Sequence, residues 1–288
     1  MLQKIKDRYI VLGSTGAIGS EIVNYCKKKN YDYIGLSKSA PPQKKNLKVN
    51  FIKKNIKNVL SIKESDTVFI LYGITDQKIL DKNKKLAYKT NYQSIVKNIN
   101  SLKKTNPLIV FFSSSAVFGK DNKKVYSEIS KPCPESYYGK LKLKVEKYIV
   151  KNYKNYLIVR SGWISSKMNN CIIKQTLNNL KKNKCFIIKN SYVNLSDTGD
   201  ITKNLFKLIQ YKKRGIFHLV NSKISREKIS QIIKKNIKEN TNYKKINKKK
   251  LKIKKNINFI LKSIYNNKLN FIYKKPEIII KNKINYIN

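Results

Sequence analysis

The N-terminal segment contains the pattern that most restricts the fold of this chain. An apolar run of strand type, residues 9–12, is followed by a turn with three regularly spaced glycines, Gly13, Gly16 and Gly19. Apolar residues at helical spacing come next. Strand, turn and helix in this order indicate a pyrophosphate-binding turn, because glycines admit the phosphates and the helix N-terminus presents unpaired N–H groups. The GxxGxxG spacing departs from the commonest fingerprint, and an ordinary strand-to-helix turn is the alternative interpretation.

Strand-like and helix-like segments alternate along the rest of the chain. We predict strands at 8–12, 32–36, 47–51, 67–72, 108–113, 156–160 and 216–220. With helices between most of them, this order predicts an α/β fold: a Rossmann-type, doubly wound parallel sheet with helices on both faces. Ligands bind such sheets beyond the carboxyl ends of the strands, where Gly13, Gly73 and Ser114 would all lie.

A tyrosine and a lysine four residues apart, Tyr138 and Lys142, predict acid–base chemistry. The apolar spacing from 138 to 150 predicts a helix, and residues four apart share a helix face. A free phenol has a pKa of about 10, and a nearby ammonium lowers it towards neutrality. A serine hydroxyl from another strand would hold a carbonyl oxygen while the phenol donates a proton to it. Chance occurrence is the alternative in a chain so rich in Tyr and Lys.

Three segments together resemble the extended short-chain dehydrogenase/reductases, and more narrowly the enzymes that reduce or epimerise nucleotide sugars. They are the glycine turn at 13–19, the serine-rich segment Phe112–Gly119 and the segment Tyr138–Glu146. The likeness extends from about residue 8 to about residue 235. It implies a nicotinamide dinucleotide cofactor and a nucleotide-sugar substrate whose 4-keto group is reduced.

The resemblance also implies the catalytic residues. Tyr138 would be the proton donor, Ser114 would steady the carbonyl oxygen, and Lys142 would hold the nicotinamide ribose and tune the phenol. Because three serines are consecutive, the register between Ser113, Ser114 and Ser115 stays open. The substrate-binding residues expected in addition are Ser115 and Trp163, with a core position as the alternative for the tryptophan.

The residues after the second predicted strand bear on the choice of cofactor. NAD-dependent members usually have an acid there that binds the ribose 2′-hydroxyl, whereas this chain has Ser37 and Lys38. A hydroxyl and an ammonium suit a 2′-phosphate, so we predict a preference for NADPH, with NADH or NAD as the alternatives. The remaining cofactor-binding residues that the resemblance implies are Gly13, Gly16, Ala17, Ile18, Gly19, Gly73 and Lys142.

Two departures from the family pattern narrow the reaction. The nucleotide-sugar dehydratases have two acids where this chain has Ser115 and Ala116, so elimination of water is not expected. Tyr72 stands where a small residue commonly faces the cofactor. The same Ser, Tyr and Lys would serve a 4-epimerase with tightly bound NAD, which is the alternative enzyme.

The charge of the chain first suggests a polyanionic partner. Lys and Arg total 64 against 16 acidic residues, a formal net charge of +48. The four arginines, which leave 60 lysines, are Arg8, Arg160, Arg214 and Arg226. Because arginine supplies bidentate recognition of phosphates and bases, we predict no specific nucleic acid partner, only salt-sensitive attraction to polyanions. A non-catalytic protein that binds a dinucleotide or a polyanion is the alternative from another class.

The length of 288 residues allows one large or two modest domains. The resemblance implies an NAD(P)-binding domain at 1–160, with 201–221 returning to it, and a smaller substrate-binding lobe from 161–200 and 222–288. The part from 240 to 288 is rich in Lys, Asn and Ile, and the helical spacing of Ile257, Ile260, Leu261 and Ile264 favours order. A homodimer through the helices beside the tyrosine motif is a further expectation.

Several classes are disfavoured by simple counts. The sequence contains no run of 18 apolar residues, so we predict no membrane span. Because the N-terminus also lacks the apolar core of a leader, we expect a cytoplasmic protein. The four cysteines lack metal-ligand spacing and are expected to be reduced thiols. A single histidine, His218, disfavours a Ser-His-Asp triad and a multi-histidine metal site, so we predict a core or surface histidine and no metal.

Overall fold

The computed structural model describes residues 7–39, 45–119, 125–166, 171–182, 185–237, 243–246 and 260–287. The strands are β1 (Arg8–Leu12), β2 (Asp32–Ser37), β3 (Asn46–Lys48), β4 (Thr67–Ile70), β5 (Leu108–Phe112), β6 (Val125–Tyr126), β7 (Tyr156–Arg160), β8 (Trp163–Ser165), β9 (Cys185–Ile188), β10 (Tyr192–Asp197), β11 (Gly215–His218), β12 (Lys223–Ser225), β13 (Tyr243–Ile246) and β14 (Ile260–Leu261). The helices are α1 (Ala17–Lys28), α2 (Gln77–Lys82), α3 (Lys84–Tyr88), α4 (Ser94–Leu102), α5 (Tyr137–Asn152), α6 (Ile172–Lys181), α7 (Thr198–Gln210), α8 (Arg226–Lys235) and α9 (Pro276–Ile287). The described residues divide into two compact units. The first lies within 1–117, 136–159 and 208–217, and the second within 118–135, 160–207 and 218–288.

A seven-stranded sheet with the order β11-β7-β5-β4-β1-β2-β3 forms the centre of the first unit. The pairings from β3 across to β7 are parallel. Ile10, Val11 and Leu12 of β1 are completely buried, as expected for a central strand with helices on both faces. The Rossmann-type α/β fold predicted from the sequence is therefore confirmed.

Several strands are shorter than predicted at their carboxyl ends. The predicted strands 47–51, 67–72, 108–113 and 216–220 end at Lys48, Ile70, Phe112 and His218. The residues that follow β3 and β4 line a cavity, at Val49–Ile52 and Leu71–Ile74. Strand-like composition persists there because these residues remain packed. Val49 and Leu71 each donate one more backbone hydrogen bond to a neighbouring strand, to Ser37 at 2.9 Å and to Leu12 at 3.0 Å.

The second unit has a separate core around a small sheet. Strand β10 pairs parallel with β8 and antiparallel with β12, and helices α6, α8 and α9 contribute the fully buried Ile173, Ile233 and Ile280 to one apolar cluster. The expected helical segment near 260 is wrong, because Ile260 and Leu261 pair as a strand with Val125 and Tyr126. Ile257 lies outside the described residues.

One carboxylate in the second unit connects segments that are far apart in the sequence. Glu128 accepts hydrogen bonds from the His218 backbone N–H at 2.9 Å, the Ser263 hydroxyl at 2.7 Å and the Ile264 backbone N–H at 3.0 Å. His218 is fully buried, and burial lowers its pKa to about 4, so its ring is neutral. It is a core histidine.

The described residues contain no helix that is long and apolar enough to cross a membrane. Cys26, Cys133 and Cys171 are free thiols. Nor do the described residues bring three or more His, Cys, Asp or Glu together as a set of metal ligands.

Candidate active site

The glycine turn after β1 has a backbone that requires glycine at two positions. Gly13 has a φ of 96°, and a Cβ placed there would lie 2.9 Å from the Tyr72 backbone nitrogen. A Cβ on Gly19 would lie only 2.1 Å from the Gly13 carbonyl oxygen. Gly16 is the N-cap of α1 and has no side chain to satisfy the N–H groups of the first turn. Those groups, which include Ala17 and Ile18, are therefore available to an anion.

A cavity of about 300 Å³ opens beside this turn within the first unit. Its lining residues are Gly13, Thr15, Gly16, Ser37, Lys38, Ser39, Val49, Asn50, Phe51, Ile52, Leu71, Tyr72, Gly73, Ile74 and Thr90. Several residues predicted from the sequence as cofactor ligands are thus brought to one cavity from β1, β2 and β4.

Three hydroxyls meet on one wall of the cavity. The Thr15 hydroxyl donates to Ser37 Oγ at 3.1 Å, and its oxygen lies 3.0 Å from Ser39 Oγ. Lys38 lies between the two serines in the sequence and lines the same cavity. Sequence reasoning missed Thr15 and Ser39 as functional candidates, although both adjoin segments that it identified.

Two stacked aromatic rings also line the cavity. The rings of Phe51 and Tyr72 are 4.7 Å apart at 20°, and the Tyr72 hydroxyl accepts hydrogen bonds from Ser94 at 3.2 Å and Asn98 at 3.1 Å. Because its hydroxyl is bound to α4, the ring of Tyr72 forms part of the wall and is held there. Phe51 was not predicted as a site residue, since the pattern 47–51 indicates only a strand.

The backbone after β4 is held by a buried asparagine. Asn91 accepts from the Ile74 N–H at 2.7 Å and donates to the Ile74 carbonyl at 2.8 Å. It lies in a π-helical turn, Lys89–Gln93, a distortion that is frequent at functional sites. The preceding residue, Thr90, has a buried hydroxyl without a hydrogen-bond partner among the described residues, and Thr90 lines the cavity.

The predicted catalytic tyrosine lies in the first turn of α5. The Ser136 hydroxyl caps this helix by accepting from the Gly139 N–H at 3.0 Å. The hydroxyl of Tyr138 is near enough to Ser114, which follows β5, for the serine to influence its pKa. Burial raises the pKa of Tyr138 to about 12, and the influence of Ser114 offsets only part of that rise.

Lys142 lies one turn further along α5 and is 6% exposed. Its ammonium donates to the Phe112 carbonyl at 2.8 Å and lies 5.7 Å from the centre of the Tyr138 ring. Burial lowers the pKa of Lys142 to about 8, while the nearby Glu146 acts in the opposite direction. Burial is the largest influence on the pKa of Tyr138, and Lys142 is not among the groups that shift it.

The three consecutive serines differ in their surroundings. Ser114 Oγ accepts from the Ala116 N–H at 3.2 Å, and Ser114 is the serine that influences the pKa of Tyr138. Ser113 is 4% exposed, and its hydroxyl has no partner among the described residues. Ser115 begins a short 3-10 turn, Ser115–Val117. Of the three, the structure brings Ser114 to the tyrosine.

Trp163, the predicted substrate residue, belongs to the second unit. It begins β8 and is 42% exposed, so it is not a core tryptophan. The guanidinium of Arg226 lies 5.4 Å from its ring centre.

The geometry of the first unit fits a dinucleotide. The turn at Gly13 leaves no room for a side chain, and Thr15, Ser37 and Ser39 bring three hydroxyls to the cavity that lies beside it. A parallel sheet with these features at its carboxyl edge, and a Ser–Tyr–Lys set beyond β5, defines the class: this is an extended short-chain dehydrogenase/reductase.

The chain belongs, within that class, to the family described as RmlD substrate binding domain, whose model matches residues 7–256. No curated protein matches it significantly by sequence. Among solved structures, a dTDP-4-dehydrorhamnose reductase from Clostridium acetobutylicum is 20% identical with a TM-score of 0.81, covering 97% of this chain and 99% of the other.

Two further structures carry ligands. A dTDP-4-dehydrorhamnose reductase from Bacillus anthracis in complex with NADP is 19% identical with a TM-score of 0.79, covering 97% of this chain and 99% of the other. A UDP-glucose 4-epimerase from Thermotoga maritima with UDP-glucose is 15% identical with a TM-score of 0.81, covering 97% and 98%. At these identities the likeness establishes the fold.

Proposed function

We propose that this protein is an NADPH-dependent reductase that converts the 4-keto group of a nucleotide sugar into a hydroxyl group. The observation that supports this best is the meeting of Ser114, Tyr138 and Lys142 beyond the carboxyl end of β5. The glycine turn and its cavity lie at the same edge of the sheet, which is where ligands of such folds bind.

The three side chains suit a reduction. Bound NADPH supplies the hydride to the carbonyl carbon. The phenol of Tyr138 is protonated at neutral pH, since its pKa is raised to about 12, and it donates that proton to the carbonyl oxygen as the alcohol forms. The Ser114 hydroxyl donates a second hydrogen bond to the same oxygen. The Lys142 ammonium, 5.7 Å from the phenol ring centre, stabilises the phenolate that remains.

The cofactor preference follows from the hydroxyl-lined wall of the cavity. The Thr15 hydroxyl lies 3.1 Å from the Ser37 hydroxyl and 3.0 Å from the Ser39 hydroxyl. Lys38, between the two serines in the sequence, lines the same cavity. A 2′-phosphate is a strong acceptor of such hydrogen bonds and is attracted to an ammonium. An acid that would repel the phosphate is absent from Ser37 to Ser39, and we therefore propose NADPH over NADH.

The proposed substrate is a nucleotide sugar such as dTDP-4-dehydrorhamnose. The family model and the reductases from Clostridium acetobutylicum and Bacillus anthracis support this substrate class. Ser115 and Ala116 supply no acid–base pair, so elimination of water from the sugar is not part of the proposal. The fold likeness to a 4-epimerase makes epimerisation the alternative.

The test is consumption of NADPH, followed by absorbance, with a dTDP-linked 4-keto sugar. Replacing Tyr138 by Phe removes the proton donor and is expected to lower turnover about 10²–10⁴-fold, while NADPH affinity stays within a few-fold. Tyr148→Phe is the matched control, since Tyr148 lies on the same helix and its hydroxyl donates to Asn100. Full activity of Tyr138→Phe would refute the assignment. NAD that stays bound through purification, with no reduction of the keto sugar, would favour the epimerase.

A further inference from the structure

The four arginines of this chain are conspicuous because lysine occupies the other 60 basic positions. Arg8 makes a two-pronged ion pair with Asp66, at 3.0 and 2.6 Å. The Arg214 guanidinium donates to Asn155 Oδ1 at 2.6 Å. Arg160 is buried, with its guanidinium 5.1 Å from the centre of the Phe118 ring.

Arg226 differs from Arg8 and Arg214 in having no acceptor for its guanidinium among the described residues. Its contact is with a ring: the guanidinium carbon lies 5.4 Å from the centre of Trp163. The backbone is fixed, since the Arg226 N–H donates to the Ser191 carbonyl at 2.9 Å and Arg226 begins α8. Desolvation lowers the pKa of Arg226 from its ordinary value, yet an arginine remains charged at neutral pH.

A small cavity of about 120 Å³ adjoins this arginine within the second unit. Its lining residues are Ile172, Gln175, Thr176, Asn179, Ile187, Arg226, Ile229 and Ser230. Thr176 and Asn179 are three residues apart on α6 and so share a helix face. A water molecule occupies about 30 Å³ in the liquid, so the cavity has room for a single oxyanion group but not for a nucleoside.

Partial burial of a charge without a partner is unfavourable, and ring contact compensates only part of the cost. The planar guanidinium has five donors arranged to meet two oxygens of a carboxylate or a phosphate at once. Lysine, which this chain uses nearly everywhere else, lacks that geometry. An arginine with its donors unengaged beside a polar cavity is therefore suited to an external oxyanion.

We propose that Arg226 and this cavity form an oxyanion subsite for the substrate, with Trp163 holding the guanidinium in place. This inference rests on the proposed function in that the oxyanion belongs to a nucleotide sugar. Two parts of such a molecule have the required chemistry: the diphosphate, or a carboxylate on the sugar ring.

The test is isothermal titration of the full chain at high salt, which suppresses nonspecific attraction to the lysines. The ligands are dTDP, thymidine, UDP-glucose and UDP-glucuronate. Arg226→Gln removes the charge, Arg226→Lys keeps the charge without the planar donors, and Arg214→Gln is the matched control on an arginine that already has a partner. Thermal melts and an NADPH titration of each variant establish that the fold and the first unit are intact.

Arg226→Gln is expected to weaken dTDP binding at least about tenfold, as the loss of charge-assisted hydrogen bonds predicts. The affinity for thymidine should not change. The dTDP affinity of Arg226→Lys should lie between those of the wild type and Arg226→Gln, and the dTDP affinity of Arg214→Gln should equal that of the wild type. If only the advantage of UDP-glucuronate over UDP-glucose is lost, the oxyanion is the sugar carboxylate.

Other results would overturn the subsite. They are failure of the wild type to bind any of the phosphorylated ligands, or equal binding of these ligands by the wild type and Arg226→Gln. Arg226-dependent binding in a protein that reduces no keto sugar would retain the subsite and refute the reductase. If the protein reduces the keto sugar but Arg226→Gln binds dTDP as tightly as the wild type, the reductase is retained and the subsite is refuted.

Discussion

Gly13 and Gly215 provide a pair of substitutions that separates backbone strain from crowding at the cofactor turn. Both have a positive φ, 96° and 105° respectively, which a side chain rarely adopts. A Cβ at Gly13 would lie 2.9 Å from the Tyr72 nitrogen and 3.1 Å from its Cα, whereas a Cβ at Gly215 would have no atom within 4 Å. Gly13→Ala therefore introduces both backbone strain and crowding, whereas Gly215→Ala introduces backbone strain alone.

The expected magnitudes follow from these distances. Left-handed backbone costs a residue other than glycine about 1–2 kcal/mol, and the lower entropy of the unfolded chain returns about 0.4–1 kcal/mol. Gly215→Ala should thus lower the free energy of unfolding by about 0–2 kcal/mol. Overpacking adds about 1–3 kcal/mol at Gly13, because the atoms it meets belong to the backbone and cannot rotate away.

Thermal melting and NADPH fluorescence titration measure the two consequences. At about 2–4 °C per kcal/mol, Gly13→Ala should melt several degrees below Gly215→Ala. Relief of the overlap must displace the turn that lines the cavity, so Gly13→Ala should also lose at least about tenfold in NADPH affinity, whereas Gly215→Ala should keep wild-type affinity. Equal melting temperatures together with unchanged NADPH binding in both variants would refute the assignment of the Gly13 turn to the cofactor.

Three further predictions concern charge and hydroxyl groups. Thr15→Val should reduce the preference for NADPH over NADH by several-fold in competitive titrations, because it removes the hydroxyl shared by the serine cluster; an unchanged ratio would place the 2′-phosphate elsewhere. Burial lowers the pKa of Lys142 to about 8, so the folded state binds fewer protons than the unfolded state between about pH 8 and 10. The melting temperature of the wild type should therefore rise relative to Lys142→Met over that range, and a constant difference would contradict the burial. Asp66→Asn leaves the partly buried Arg8 without its charged partner and should lower the free energy of unfolding by about 3–5 kcal/mol. The control, Asp32→Asn, breaks an exposed ion pair and should lower it by only about 0–1 kcal/mol. Similar losses for the two variants in chemical denaturation would contradict this reasoning.

Local sequence patterns predicted the parts of the fold that depend on local physics. The predicted helix at 138–150 is observed as Tyr137–Asn152, and the first strand and the glycine turn lie where the spacing of apolar residues and glycines indicates. The ends of strands were less predictable, since residues 49–51 and 71–72 keep a strand-like composition while they line a cavity. Pairing with a neighbour, which sequence periodicity does not report, decides where a strand ends.

The features missed at the site depend on contacts between distant segments. Thr15 and Ser39 meet across two separate strand ends, and no spacing within either segment reveals that contact. The direction of the Tyr138 pKa shift was also unpredictable from the sequence. Proximity to Lys142 suggests a lower pKa, but desolvation, which depends on the whole surrounding structure, is the largest influence and raises the pKa to about 12.

The bonds that Glu128 accepts from Ser263 and Ile264 have a consequence for the order in which the protein is completed during synthesis. Strand β6 receives its partner, β14, from a segment more than a hundred residues further along the chain, and α9 supplies Ile280 and Ile284 to the core of the second unit. The ribosome must therefore release the chain through α9 before that core closes. Until then the apolar residues of α6 and α8 lack part of their covering, so this half of the molecule is the one that depends on protection from aggregation while the chain is still being made.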